Sequence, residues 1–347
     1  MDRVLVTGGT GFVASHLVAR LLQDGHHVSV TVRDPGGRRT AALRNLTVGR
    51  PGHLAVHAAD LLTEGSFDAA AEGVDTVFHV ASPFFMAEQI TDPQTELVDP
   101  ALLGTRNVLG TVNRTPSVRR VVLTSTIGAM FGDYSDTLAL PGRVLTEDVV
   151  NTSSSLQRSP YHYSKVLAEN EAWRIADEQD RWSMVSVNPG LVLGPVLVPG
   201  SASGSLFLLD ELMAGKLWFG VPDIAFAAVD VRDVADAHVA AGERTDAAGR
   251  YIVSHREMVP FTEMARILRS VHDHPWRVPR TRLPTPAVRL LGPAFGLDRQ
   301  FIEHHVGIRF TLDNRRSRTE LGVSYRPVAD SLRDHYRAWS RNRAVRG

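Results

Sequence analysis

Along the first half of the chain, short runs of branched apolar residues alternate with stretches in which apolar positions recur every three or four residues. Val4-Leu5-Val6 breaks into Thr7-Gly8-Gly9-Thr10-Gly11. Phe12, Val13, Leu17, Val18, Leu21 and Leu22 then share one helical face. A run apolar on both sides, then glycines, then a 3.6-residue period predicts a buried parallel strand, a tight turn and a helix. The pattern repeats, with strands expected at His27 to Val32, Leu54 to Ala58, Thr76 to Val80, Arg119 to Thr124 and Met184 to Val187. Helices are expected over Phe67 to Ala71, capped by Ser66, over Pro93 to Val112 and over Tyr161 to Glu178. Strand and helix in alternation predict an α/β fold, a doubly wound parallel sheet.

Beyond Gly194 the alternation weakens into Gly-, Ser- and Pro-rich connections, with helices expected near Leu206 to Ala214, Val231 to Ala241 and Phe261 to Val271. The chain therefore divides into a dinucleotide-sized domain over 1–194 and a smaller, mixed lobe over 195–347, interleaved with the first domain around 229–254. Composition narrows the class. Of 347 residues, 38 are Lys or Arg and 38 are Asp or Glu, so no basic surface for nucleic acid is expected. No apolar run reaches the roughly 18 residues of a membrane span. The first strand starts too early to leave room for a signal peptide. There is no cysteine, which excludes thiolate metal sites, disulfides and a cysteine nucleophile. A cytoplasmic protein without a metal, monomeric or homodimeric, is the expectation.

The first turn carries chemistry. Gly8 and Gly9 permit it, Gly11 lets a pyrophosphate approach the backbone, and Ala14 lets helix pack closely on strand. The N–H groups of Thr10, Gly11, Phe12 and Val13 then face a phosphate at the helix N-terminus. With a strand before and a helix after, the glycine pattern reads as a Rossmann-type dinucleotide site. The second strand ends in Arg33-Asp34, with Arg38 and Arg39 close behind. Arginine there suits the 2′-phosphate of NADPH, whereas Asp34 leaves NADH as a weaker substitute. Asp60, next to Leu61, could accept from the adenine amino group or could serve as a loop carboxylate. Val80, Ala81 and Ser82, and Pro189, Gly190 and Val192, stand at strand ends, where cofactors lie in such sheets.

Tyr161 and Lys165 are four apart and share one helical face. A lysine ammonium beside a phenol lowers its pKa from about 10 toward neutrality, making it a proton donor to a carbonyl oxygen. Thr126, or Ser125 beside it, ends the fifth strand and supplies a second hydroxyl. His162 is expected to pack or cap. Phe84, Phe85, Met86, Phe131, Phe207, Trp218 and Phe226 are candidate walls for a substrate, with core packing the competing role.

Together, the segments 7–14, 31–35, 77–83, 122–126 and 161–165 resemble the extended short-chain dehydrogenase/reductases. Within them they are most similar to the branch of dihydroflavonol reductases, cinnamoyl-CoA reductases and fungal or bacterial aldehyde/ketone reductases. The likeness spans residues 3–195 and continues more faintly through 229–235. It implies an NADPH-dependent carbonyl reductase in which Tyr161 is the acid, Lys165 tunes it and Thr126 stands where serine is usual. Phe131 stands where plant flavonoid reductases carry an asparagine, which argues for an apolar carbonyl compound over a flavonoid. A nucleotide-sugar epimerase or dehydratase with retained NAD is the alternative, disfavoured by Arg33 and the apolar 84–86 loop. A non-catalytic dinucleotide sensor would have no chemical use for the Tyr161/Lys165 pair.

Overall fold

The computed structural model describes residues 2–82, 91–292 and 299–344. Phe84, Phe85 and Met86 lie outside the described residues. Seven parallel strands form the main sheet: β1 (Arg3–Val6), β2 (His27–Val32), β3 (His53–Ala58), β4 (Thr76–His79), β5 (Arg120–Thr124), β6 (Ser183–Pro189) and β7 (Gly249–Val253), in the order 7-6-5-4-1-2-3. Val4 and Val6 point to one face of the sheet and Leu5 to the other, as do Val122 and the pair Val121 and Leu123. Each is at most 5% exposed, so each side chain contributes about 2 kcal/mol of burial. Helices α1 (Phe12–Gln23), α2 (Arg38–Arg44) and α7 (Val231–Glu243) cover the first face. Helices α3 (Asp68–Ala71), α4 (Asp99–Arg114) and α5 (Pro160–Asp177) cover the second. The strand order reverses between β1 and β4, which opens a crevice above their C-terminal ends.

Four of the differences from the sequence expectation stand out. Ser66 does not cap α3: its hydroxyl donates to the Asp60 carbonyl at 2.8 Å, and Phe67 occupies the cap. The helix expected from Pro93 opens with one wide turn, Gln94–Val98, before α4 begins. Pro100 has no N–H for the regular ladder there. Strand β7 was not expected, because Gly249-Arg250 leaves only three apolar residues in the run. It nonetheless pairs with β6 from Gly249↔Val185 to Val253↔Pro189. The long C-terminal helix Val328–Ala344 was also not expected.

Buried arginines brace the two layers. Arg120, 6% exposed, donates to the carbonyl of Ala241 in the last turn of α7, to those of Arg244 and Ala247 just past its end, and to the Ser183 hydroxyl. These acceptors carry the negative end of the helix dipole, which offsets the cation. Arg120→Met leaves three carbonyls without that donor and is expected to destabilise the fold by about 3 kcal/mol, read as a lower urea midpoint at unchanged slope.

The later part of the chain forms a second core around α6 (Gly204–Ala214) and α8 (Phe261–Arg269), with Leu209, Leu212, Met264, Leu268, Leu332 and Tyr336 at its centre. Asp230 caps α7 by accepting from the Arg232 N–H at 2.8 Å, and the Arg232 guanidinium folds back on the same carboxylate. Asp233 accepts the Arg326 N–H at 2.8 Å. The acidic and basic residues of the 229–235 segment thus join α7 to the C-terminal segment.

Candidate active site

The turn after β1 is built for close approach. Gly8 has φ +70°, and a Cβ on it would lie 3.1 Å from the Ala81 backbone. Thr7 holds that contact from below: its hydroxyl oxygen accepts from the N–H groups of Val80 at 3.0 Å and Ala81 at 2.9 Å. With both lone pairs engaged, its proton goes to His79 Nδ1 at 3.0 Å. His79 must then be neutral, and burial holds its pKa down at about 3, with Lys165 adding to the effect. Among the described residues no side chain caps the N-terminus of α1, so the N–H groups of its first turn remain available to an anion.

Arg39 donates to the Thr10 carbonyl at 2.9 Å, and its Nε is buried without a hydrogen-bond partner among the described residues. Burial and the neighbouring Arg33 both lower its pKa. Two mutually repelling guanidinium groups, one with an unpaired buried N–H, fit a phosphate ester beside the turn. Asp34 is occupied locally, its Oδ1 accepting from the Gly36 N–H at 3.1 Å. Asp60 Oδ1 likewise accepts from the Leu62 N–H at 2.9 Å, the loop-carboxylate arrangement. Leu61 packs on α4, where a Cβ on Gly104 would meet it at 3.0 Å. These residues fit a nicotinamide dinucleotide carrying a 2′-phosphate.

The reactive end lies over β4, β5 and β6. Lys165 Nζ donates to Ser82 Oγ at 2.6 Å and stands 5.7 Å from the centre of the Tyr161 ring. Burial lowers the Lys165 pKa to about 8, against the opposing charge of Glu169. The phenol of Tyr161 moves the other way. Its protein surroundings push it up to about 12, although the residue is 41% exposed on its open side. An exposed phenol would titrate near 10, so on either view Tyr161 is protonated at neutral pH. The expected lowering of its pKa is corrected: Lys165 turns to Ser82, and desolvation decides the sign.

Thr126 and Ser125 part company. Ser125 is 6% exposed and donates to the Glu169 carboxylate. Thr126 is half-buried. Its oxygen accepts from the Gly128 N–H at 3.2 Å, and its proton faces the Pro189 carbonyl at 3.4 Å, a weak contact. Gly190 is required because a Cβ there would fall 2.2 Å from the Ala227 carbonyl. Val192 pairs with Val229 in a short parallel ladder. His162 packs over Gly128 and meets the Gly132 carbonyl at 2.8 Å.

The aromatic candidates scatter. Phe131 is 4% exposed and packs edge-on to Phe310 at 5.3 Å, in the core rather than on the crevice. Phe226 packs on Phe261. Phe207 is half-buried with Lys216 Nζ 5.9 Å from its ring, and Trp218 is 66% exposed. Sequence reasoning missed Glu169, Asn188 and Arg250, which meet beneath the reactive end. A carboxylate four residues after Lys165, on the same helical face, was the available signal.

Residues 4–254 match the family described as NAD dependent epimerase/dehydratase. The chain is an extended short-chain dehydrogenase/reductase. This reductase-type chain is 39% identical over 271 residues to cinnamoyl-CoA reductase CAD2 of Medicago truncatula, covering 78% of this chain and 80% of the relative. It is 37% identical over 277 residues to tetraketide alpha-pyrone reductase 2 of Arabidopsis thaliana, covering 79% and 84%. The structure of Gre2 with NADPH from Candida albicans superposes with a TM-score of 0.80 at 27% identity, over 99% of each chain. As a member of this family the protein is an NAD(P)H-dependent oxidoreductase, and no helix among the described residues is long and apolar enough to cross a membrane.

Proposed function

We propose that this short-chain dehydrogenase/reductase uses NADPH to reduce an aldehyde or ketone carbonyl on an apolar or aromatic small molecule. The observation that carries the reading is a protonated Tyr161 with the Lys165 ammonium 5.7 Å from its ring on α5, together with a Thr126 hydroxyl held only weakly just past the end of β5. The arginine pair lies at the other end of the crevice. Relatives named as reductases of cinnamoyl-CoA and of a tetraketide pyrone, and an NADPH complex among the similar structures, support it.

The nicotinamide supplies a hydride equivalent to the carbonyl carbon when the cofactor is bound. Everything else falls to the chain. Thr126 and Tyr161 donate hydrogen bonds to the carbonyl oxygen and hold it as negative charge develops. Tyr161 then releases its proton to that oxygen, so hydride and proton together give the alcohol. Lys165, cationic below about pH 8, stabilises the tyrosinate left behind and, from α5, takes part in holding the cofactor. The turn at Gly8 to Val13 seats the pyrophosphate, and Arg33 and Arg39 bind the 2′-phosphate. Asp34 is committed to its own turn, which leaves the second strand's end selective for the phosphate over a bare ribose.

The test follows NADPH oxidation at the nicotinamide absorbance against aliphatic and aromatic aldehydes and ketones. Turnover with NADPH preferred over NADH supports the reading. A tightly retained nicotinamide with no turnover on any carbonyl would favour an epimerase or dehydratase. Arg33 is exposed on the strand end and carries none of the core. Arg33→Ala is therefore expected to raise the KM for NADPH about tenfold and leave the KM for NADH within about twofold.

A further inference from the structure

Behind the reactive end, one carboxylate gathers four donors, one from its own helix and three from the ends and edges of β5, β6 and β7. Glu169, 1% exposed on α5, lies one turn beyond Lys165. Its Oε2 accepts from Ser125 at the end of β5 and from Asn188 Nδ2 on β6 at 3.1 Å. Its Oε1 accepts from Arg250 Nε on β7 at 2.7 Å and from Trp173 Nε1 at 3.4 Å. Asn188 Nδ2 also donates to the backbone carbonyl of Thr126 at 3.1 Å. The Asn188 amide pays for this with a buried Oδ1 that has no partner among the described residues. Flipping it would set that oxygen against two acceptors, so the orientation is forced.

We propose that Glu169 is a positioning residue for carbonyl reduction: its carboxylate locks the Ser125-Thr126 end of β5 and the Asn188 end of β6 to the helix that carries Tyr161 and Lys165. The inference rests on the reductase reading above. Two donors on different elements must reach one carbonyl oxygen, and that requires their separation to be fixed to within a fraction of an ångström. The apolar contacts of α5, through Ala172 and Ile175, are non-directional and by themselves do not fix a polar group to a hydrogen-bond distance. A buried ion pair with Arg250 and three further hydrogen bonds are directional, and well-packed apolar residues would serve stability as well or better. Glu169 also selects between neighbouring hydroxyls. By taking the Ser125 proton it leaves Thr126 as the donor on that strand end.

The same charge acts on Lys165. The groups facing Lys165 are His79 and Ser82 from the β4 side, Tyr161 and Glu169 from its own helix, and Arg250 beyond Glu169 from β7. His79 is neutral and Tyr161 is protonated. Glu169 is thus the group that supports the ammonium, and without its charge the Lys165 pKa falls further below about 8.

The experiment compares wild type and Glu169→Gln as full-length proteins, measuring kcat against pH with the best carbonyl of the panel and NADPH Kd by fluorescence quenching. We expect kcat to fall about thirtyfold, NADPH Kd to stay within about twofold, and the alkaline limb of kcat to move to lower pH. Glu169→Asp, which keeps the charge, should return the limb toward its wild-type position. A variant with kcat within about twofold of wild type and an unmoved limb overturns the inference while leaving the reductase reading intact. Should Glu169→Gln fail to fold, Asn188→Ala cuts the link to Thr126 and spares the Arg250 pair. There a tenfold loss of kcat at constant NADPH Kd is about what the inference requires, and an unchanged kcat overturns it. A wild type that reduces no carbonyl removes the reductase reading and this inference together.

Discussion

Replacing Tyr161 with phenylalanine is expected to lower kcat for carbonyl reduction about a thousandfold, with the Kd for NADPH unchanged within about twofold. The substitution removes one oxygen from a residue that is 41% exposed and at the start of its helix, so neither the core nor the dinucleotide turn is disturbed. What is lost is the proton source. Thr126 can still polarise the oxygen, but its hydroxyl is far too weak an acid to complete the transfer.

The pH dependence follows from the same pair. Burial pushes Tyr161 up to about 12, so the donor form is present throughout the neutral range. Lys165 is lowered to about 8: below that pH it is cationic and able to stabilise the tyrosinate, and above it that stabilisation is lost. Reduction should therefore run on a plateau at neutral pH and fall through a limb near pH 8. Oxidation of the alcohol, which needs the phenolate, should rise instead toward alkaline pH. Steady-state kcat between pH 6 and 10 in both directions tests this. A flat reduction profile across the interval would remove Lys165 from the mechanism.

Legibility in the sequence followed local pattern. The β1 turn was readable because a glycine run between a branched apolar strand and an amphipathic helix has few other uses, and Gly8 at φ +70° against Ala81 shows why. Six of the sheet's strands carried their own apolar runs. The seventh, Gly249–Val253, did not. Its place is fixed by β6 beside it and by Tyr251 and Val253 entering the core, which are tertiary facts. The same limit applied at the site. The spacing of Tyr161 and Lys165 gave their shared face, yet it gave the wrong direction for the phenol, because the direction depends on where Lys165 Nζ turns and Ser82 lies 83 residues away. Phe131 was open between a substrate wall and core packing, and the contacts that bury it, from Phe310 and Tyr134, are tertiary facts of the same kind.

Thr126→Ala should reduce kcat about a hundredfold, and Ser125→Ala, which cuts one of the Glu169 contacts but removes no donor to the substrate, by no more than about tenfold. The two hydroxyls are adjacent in sequence and alternate across the strand end, so sequence alone left either as the second donor. Their partners separate them. Ser125 is buried and gives its proton to Glu169, a strong acceptor that a neutral carbonyl cannot displace. Thr126 makes only a 3.4 Å contact with the Pro189 carbonyl, which a developing alkoxide outcompetes easily. The methyl group of Thr126 adds a second, separable effect. Thr126→Ser keeps the hydroxyl and removes the methyl, so kcat on a small aldehyde should hold while the KM for bulky ketones falls. Were Ser125→Ala the damaging change and Thr126→Ala the mild one, the Glu169 contact would have to open during turnover. Glu169 would then act as the group that releases a donor, and the fixed geometry argued for it here would be wrong.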